Sequence, residues 1–474
     1  MRSAVVLAAG RGTRLRSSKP KVLHEAAGRP LLGWVLHALA PLELDHIVVV
    51  IGHGAEQVRA YAESLPIPGI SCVVQEQQNG TGHAVRIAME SGALDAATDV
   101  MVLAGDVPGI STETLSRVFV ERGGAAAAVV TTRLDDPTGY GRMIRYGSRI
   151  TGIVEERDAS PEQKRIDEIN TGLFAFEAQA LRDALGQLTT DNAQGEEYLT
   201  DTVAYLAQTR TVVGLEVDSD EVEGVNDRSQ LATISSTLNA RTLDRLMAGG
   251  VGIVDPSSTY VDADVVVEPD ALLLPGVMLH GATRIASGAE VGPYSRLTDT
   301  VVESGATVAF TVSTGAEIGP EAQVGPYTHL RPGTVLHRGA KAGGFVETKK
   351  AVIGEGSKVP HLSYVGDADL GKGVNFGAGS VTVNYDGFNK FHTTIGDGAF
   401  VGSDTMLVAP IEVGPGAYVG AGSTITTDVP ADALAIERAE RRTIDGWGAR
   451  NRERHTKQSS SEPTSPTESG QKDN

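Results

Sequence analysis

Sulfur, aromatic rings and positive charge are all scarce in this chain. A single cysteine, Cys72, in 474 residues excludes an intramolecular disulfide framework and fits a reducing compartment. Beside Val73 and Val74 it reads as a small buried hydrophobe rather than a reactive thiol. Forty-one basic residues against sixty acidic ones leave a net charge of −19, which argues against a nucleic-acid or anionic-membrane partner. No run of about eighteen apolar residues occurs, so no membrane span is expected. The first strand begins at once, without the charged and apolar regions of a secretory leader, and a cytoplasmic protein is expected. Aromatic residues make up only 5% of the chain, while glycine reaches 56 residues. Two familiar phosphate-binding patterns are missing as well. Leu15 stands where a dinucleotide fingerprint needs its third glycine, and no Gly-Lys-Ser/Thr of a P-loop follows.

What is present instead is Val5-Val6-Leu7-Ala8-Ala9-Gly10-Arg11-Gly12-Thr13-Arg14, followed by Lys19-Pro20-Lys21. An apolar strand enters a turn whose glycines let backbone N–H groups approach an anion, and Arg14 and Lys21 supply neutralising charge. This reads as a cradle for nucleotide phosphates. From Ala4 to about Val225, short apolar runs alternate with helical patterns, the signature of an α/β domain with a mainly parallel sheet. Strands are expected at Ala4–Leu7, His46–Ile51, Ser71–Val74, Val100–Leu103, Ala125–Thr131 and Gly172–Phe176. Ligands of such sheets sit outside the carboxyl ends of the strands. Gln75, Gly80-Thr81-Gly82 and Asp106 should therefore share a crevice with Gly10 and Gly12. Asp106, at the end of an apolar strand beside the phosphate loop, reads as a Mg²⁺ ligand in preference to a helix cap.

Leu231, Ile234, Leu238 and Leu246 recur at helical spacing, and Gly249-Gly250 ends the pattern, so residues 227–250 read as a helix joining two domains. The period then changes to six. Ile395, Val401, Leu407, Val413, Val419 and Ile425 hold register, with the small residues Ala399, Thr405, Ala417 and Ser423 four positions after an apolar one. An earlier array, Ile318, Val324, Leu330, Leu336 and Ala342, follows the same rule with Ala322, Thr328, Thr334 and Ala340. Hexapeptide periodicity is the signature of a parallel β-helix; it explains the glycine content and does not reveal the handedness. Residues 343–358 and 384–394 break the count and are expected to loop out of the coil, where function concentrates on a rigid solenoid. Beyond about Thr443 the chain turns Arg-, Ser-, Pro- and Glu-rich, and 443–474 reads as a disordered tail.

Taken together, these motifs resemble those of bacterial bifunctional N-acetylglucosamine-1-phosphate uridylyltransferase/glucosamine-1-phosphate N-acetyltransferases. The resemblance is carried by residues 7–14, Pro20-Lys21-Val22-Leu23-His24, Gly80-Thr81-Gly82-His83-Ala84 and Asp136-Pro137-Thr138-Gly139-Tyr140-Gly141-Arg142. Glu168-Ile169-Asn170-Thr171-Gly172 and Glu223-Gly224-Val225-Asn226 extend it. Later come Leu330-Arg331-Pro332-Gly333, His361-Leu362, Asn384-Tyr385-Asp386-Gly387 and Gly402-Ser403-Asp404-Thr405. It implies a Rossmann-like nucleotidyltransferase domain over 1–226, a linker helix over 227–250 and a left-handed β-helix acetyltransferase domain over 251–442.

The resemblance further implies that Leu7, Ala8, Ala9, Gly10, Lys21, Gln75, Gly80 and Thr81 contact the uridine nucleotide. Gly141, Glu155, Asn170 and Asn226 would hold the sugar phosphate, with Mg²⁺ on Asp106 and Asn226. Arg14 and Lys21 would neutralise charge while N-acetylglucosamine-1-phosphate attacks the α-phosphorus of UTP. For acetyl transfer it implies His361 as general base on glucosamine-1-phosphate, bound by Arg331, Lys349, Tyr364 and Asn375. Ala378, Asn384, Tyr385, Ser403, Ala421 and Arg438 would face acetyl-CoA, in a homotrimer. The chain departs from the family pattern at Ala104, where a tyrosine contact would be lost, and at Val359-Pro360, where the path before His361 could change. A single-activity nucleotidyltransferase with a purely structural β-helix would need neither His361 nor Arg331, and a non-enzymatic relative would be expected to lose Arg14, Lys21 or Asp106.

Overall fold

A computed structural model describes residues 1–459. The first half is built on a twisted sheet whose central strands are buried on both faces and therefore read as unbroken apolar runs. In chain order these strands are β1 (Arg2–Ala8), β2 (His46–Ile51), β3 (Ile70–Val74), β4 (Asp99–Ala104) and β5 (Ala127–Arg133). The hairpin β6 (Arg142–Tyr146) and β7 (Arg149–Val154) follows, then β8 (Glu168–Glu177) and β9 (Val212–Glu216). The sheet order is β9-β5-β8-β4-β1-β2-β3, with the β6–β7 hairpin attached to β8. β1 pairs in parallel with both β2 and β4, whereas β8 runs antiparallel to β4 and β5.

Alternate residues of one strand serve opposite layers. Val5, Val48, Val50, Val100 and Val102 pack against α3 (Thr81–Glu90) through Ala84, Val85 and Ala88. Ala4, Val6, Ile47, Val49 and Met101 pack against α1 (Leu31–Leu39), α2 (Ala55–Ser64) and α4 (Thr112–Arg122). Because β2 and β4 lie on opposite sides of β1, the chain leaves β1 in one direction and returns on the other. That topological switch opens a crevice at the carboxyl ends. Cys72 is half-buried against the second layer, and burial pushes its thiol up to about 11.

α5 (Arg228–Ala248) begins at Asp227, whose carboxylate accepts hydrogen bonds from the N–H groups of Ser229 and Gln230. Its apolar face is divided. Ile234 and Leu238 pack with Ala26 and Leu31 of the first half, while Leu243 and Leu246 join the core of the second. The helix so joins the two halves by contributing to both cores. The Ala27 turn is fixed from both sides, donating to Ser235 Oγ (3.1 Å) and accepting from Ala263 N–H (3.0 Å), and Arg29 pairs with Asp264.

The second half is a parallel β-helix of short strands in an 11-stranded and a 17-stranded sheet. All eleven residues of the two apolar arrays and all eight of the small residues after them are buried. In the late coils Val401 pairs with Val419 and Leu407 with Ile425, one full coil apart. Residues 384–392 do leave the coil between the strands Val381–Val383 and Thr393–Ile395. Residues 343–358 do not. They carry the strand Glu347–Ile353, and Ala342 pairs with Val359, so this coil closes one residue short and stays in the wall. Val359 is fully buried, and Val359-Pro360 keep the ladder instead of diverting it. Trp447–Ser459 form a helix, α6, where disorder was expected: Ala, Arg, Glu and Lys are strong helix formers even without an apolar core. Residues 460–474 of the expected tail lie outside the described residues.

Leu407→Ala should cost about 2–5 kcal/mol, because a fully buried side chain in the coil leaves a cavity that the stacked neighbours cannot close. Thermal unfolding followed by calorimetry should show the transition of the second half at a lower temperature while that of the first half stays in place.

Candidate active sites

The crevice at the carboxyl end of β1 is a cleft of about 440 Å³. It is lined by Leu7, Ala8, Ala9, Gly10, Arg14, Lys21, Gln75, Gly80, Thr81, Asp106 and Asn226. Gly12 has φ +60, and a Cβ there would collide with the Lys21 side chain, so glycine is what lets the loop close over that lysine. Lys21 Nζ contacts the Asp106 carboxylate and donates to Asn226 Oδ1 at 2.9 Å; Arg14 Nη2 donates to the same oxygen at 2.7 Å. Asp106 reaches this point from the loop after β4, and its carbonyl accepts from Val225 N–H (3.0 Å), which fixes the segment carrying Asn226. Three distant segments thus meet on one cation-seeking spot. A carboxylate and an amide oxygen converging there are hard donors, the set that suits a divalent cation shared with substrate phosphates. Among the described residues no group of three or more His, Cys, Asp or Glu side chains forms a self-sufficient metal cage.

Gly141, Glu155 and Asn170 do not line this cleft; they form a neighbouring cluster. Asn170 N–H donates to Gly141 carbonyl at 2.8 Å, and Thr200 Oγ1 donates to Glu155 Oε1 at 2.9 Å. A Cβ on Gly141 would lie 3.4 Å from Glu155 Oε2, so the glycine leaves that carboxylate accessible from one side. Burial raises the pKa of Glu155, and the charges of Asp201 and Asp158 push the same way against the Thr200 hydrogen bond. Tyr140 links the two clusters: burial, then Glu223 and Asp106, raise the pKa of its phenol, while Arg14 opposes them.

Gln78, Glu196 and Thr200 are site neighbours that sequence reasoning missed. Gln78 Nε2 donates to Ala9 carbonyl at 2.6 Å, bracing the phosphate loop. The polar run Gln75-Glu76-Gln77-Gln78-Asn79 after a strand was the available signal. Ala104 lines the cleft with its small side chain.

On the β-helix the remaining residues fall into two groups. His361 ends the strand Lys358–His361 and is exposed, and among the described residues its ring has no hydrogen-bond partner. Below it run successive corners of the coil. Gly379 N–H reaches His361 carbonyl (3.4 Å), Asp404 N–H reaches Ala378 carbonyl (2.8 Å) and Gly422 N–H reaches Ser403 carbonyl (2.8 Å). His361, Ala378, Ser403 and Ala421 therefore descend one edge, and Arg438 Cδ lies 3.7 Å from where a Gly422 Cβ would stand.

The second group holds charge. Arg331 Nη1 donates to Glu347 Oε1 (2.9 Å), and Asn384 Nδ2 donates to Asp367 Oδ2 (2.6 Å) and to Tyr364 Oη (3.4 Å). The adjoining Lys390 lowers the Lys349 pKa, joined by desolvation and Arg331, against Asp367. Lys390, from the loop that leaves the coil, was missed although that loop had been marked. Tyr385 lies in the same loop, and its hydroxyl donates to Gly387 carbonyl (2.5 Å). Asn375 lies on the other sheet, beside Lys358 and Phe400, apart from the charged group.

A switch-point nucleotide cleft on an α/β sheet and a hexapeptide coil carrying a free histidine define a two-domain transferase. Residues 4–200 match the model of a MobA-like NTP transferase domain, and residues 392–427 that of a bacterial transferase hexapeptide (six repeats). The bifunctional protein GlmU of Streptomyces coelicolor is 52% identical over 95% of this chain and 94% of its own. Those of Kineococcus radiotolerans and Mycolicibacterium vanbaalenii are 51% and 49% identical, over 94% and 95% of this chain and 91% and 93% of theirs. The chain belongs to the bifunctional GlmU family, and so carries a uridylyltransferase and an acetyltransferase in one polypeptide. No described helix is long and apolar enough to cross a membrane.

Glu155→Gln should raise thermal stability at neutral pH, because it removes a partly buried charge. A carboxyl with a raised native pKa binds more protons folded than unfolded, so the wild type gains stability as pH falls. The difference between the two proteins should therefore shrink on acidification and vanish below the ordinary value of 4.5. Melting temperatures from pH 8 down to about pH 4 measure it; a pH-independent gap would place Glu155 outside this electrostatic role.

Proposed function

We propose that the cleft transfers UMP from UTP to N-acetylglucosamine-1-phosphate, releasing pyrophosphate, after the β-helix has made that sugar phosphate from glucosamine-1-phosphate and acetyl-CoA. The observation that carries the first half is the meeting of Lys21, Arg14, Asp106 and Asn226 at one point beside the glycine loop. An in-line displacement at phosphorus asks a protein mainly for positioning and for positive charge on the transferred and leaving oxygens. Lys21 and Arg14 supply that charge, and Leu7 to Gly10 with Gln75, Gly80 and Thr81 hold the nucleotide. Gly141, Glu155 and Asn170 hold the sugar, the Glu155 carboxylate accepting from its hydroxyls. Asp106 and Asn226 would hold Mg²⁺ once Lys21 and Arg14 turn from them to the phosphates, and the bound metal would withdraw negative charge from the phosphates.

For acetyl transfer, His361 takes a proton from the substrate amine so that its lone pair can attack the thioester carbonyl. Imidazole is the side chain best matched to proton transfer at physiological pH. Arg331 and Lys349, with Lys390, neutralise the sugar phosphate and Tyr364 orients it, while Asn375, on the sheet that carries His361, would meet it from that side. Ala378, Ser403 and Ala421, small residues down one edge of the coil, would leave that edge clear for acetyl-CoA, with Asn384, Tyr385 and Arg438 also facing it. The openness of this edge in a single chain supports a homotrimer in which a second subunit covers it, since closed cyclic symmetry is the common solution. A protein with these substrates belongs in the cytoplasm.

Purified protein given UTP, Mg²⁺ and N-acetylglucosamine-1-phosphate should release pyrophosphate; given acetyl-CoA and glucosamine-1-phosphate, it should release CoA. Asp106→Ala should abolish the first reaction and leave the second within twofold. Wild-type pyrophosphate release by that variant under limiting Mg²⁺ would remove Asp106 from the ligand set. His361→Ala should lower kcat of the second reaction by about 10²–10⁴, the usual contribution of a positioned base. Uridylyl transfer should be untouched; an acetylation rate within threefold of wild type would make His361 structural.

A further inference from the structure

Gln75 is 5% exposed, yet its side chain faces the nucleotide cleft. Its backbone is fixed at the end of β3, where its N–H donates to Ile51 carbonyl at 2.8 Å. Both protons of its amide are committed. Nε2 donates to Gly80 carbonyl at 3.1 Å and lies 3.1 Å from His83 Nδ1. A carbonyl can only accept, so the Gly80 contact assigns the nitrogen to that side of the amide. His83 Nδ1 must then be the acceptor of the second proton, which places the histidine's own proton on Nε2. What remains is Oε1. It accepts from no donor among the described residues, and it is not among the polar atoms sealed from solvent.

A lone, fixed acceptor in a pocket that takes a uridine nucleotide has one partner to choose. The pyrimidine edge of uracil carries two carbonyl oxygens and a single donor, N3–H; cytosine has an unprotonated N3 acceptor at that place. We propose that His83 is a positioning residue for base selection. By accepting from Gln75 Nε2 it locks the amide with Oε1 toward uracil N3–H, so that UTP is paired and CTP meets acceptor against acceptor. The inference rests on Gln75 facing the base in the cleft. His83 sits in the first turn of α3, half-buried, and its role is to orient Gln75. Sites built around one hydrogen bond reject an analogue that cannot make it far more strongly than apolar pockets reject an extra group.

The test measures kcat/KM for UTP and for CTP, with calorimetric affinities of both nucleotides as a readout independent of turnover. His83→Ala should lower the UTP-to-CTP ratio about tenfold, the worth of one ordinary hydrogen bond, mainly through KM for UTP. His83→Asn, whose Oδ1 can accept where Nδ1 does, should keep the ratio within threefold of wild type. His83→Leu carries the same expectation as the alanine variant should that one fail to fold, and circular dichroism with thermal unfolding of each preparation reports the fold of the nucleotide half. If Gln75→Ala collapses the ratio while His83→Ala and His83→Leu keep it, the positioning role of His83 is overturned. If Gln75→Ala also keeps it, Gln75 does not face the base and the inference falls with that reading.

Discussion

The nucleotide half depends on one crowded contact: the Lys21 ammonium held between the carboxylate of Asp106 and the amide oxygen of Asn226, with Arg14 on the same oxygen. A protein of net charge −19 repels a triphosphate at long range, so attraction must be concentrated locally. Two cations on one loop would repel each other and splay without Asn226 and Asp106 between them. The same contact ties the phosphate loop to the strand end of β4 and to the chain leaving toward α5. The site is therefore set by the packing of three segments instead of the flexibility of one loop.

The β-helix answers a different constraint. Each coil must return its apolar residue to the same interior column, and the coils achieve this with different lengths. Ala342 meets Val359 after 17 positions and Val401 meets Val419 after 18, while Leu370 meets Ile395 after 25 by extruding a loop. The short coil gives up a corner residue without losing the ladder. The long one puts its surplus at 384–392, where Asn384 and Lys390 come to lie beside Tyr364, Asp367 and Lys349.

These lengths explain what could be read in advance. Strand β2 was legible residue for residue because His46–Ile51 is apolar on both faces and ends at glycine. The hexapeptide columns were legible because burial follows a strict count. Gly343–Lys358 was misread because a shifted count signals a missing residue as readily as an inserted one, and only pairing tells them apart. The cleft members near glycine turns were legible from strand ends. Asn226 and the Gly141–Glu155–Asn170 cluster were not: single polar residues far apart in the chain have no local pattern, and family resemblance alone suggested them. The helix at Trp447–Ser459 escaped notice since a low apolar content excludes a core without excluding helical backbone.

The split loyalty of α5 has a consequence for how the two halves could ever be parted. A solenoid exposes unpaired strand edges and a raw core at its first coil unless something stoppers it. Here the stopper is Leu243 and Leu246, on the last turns of a helix whose earlier turns, Ile234 and Leu238, are anchored in the nucleotide half. A chain severed after the helix would hand the plug to the wrong fragment and leave the β-helix open-ended, a template for end-to-end stacking. Severed before it, the nucleotide half would shed the residues that cover Ala26 and Leu31. Two chemistries with no shared substrate site are thus kept in one polypeptide by a shared piece of hydrophobic surface.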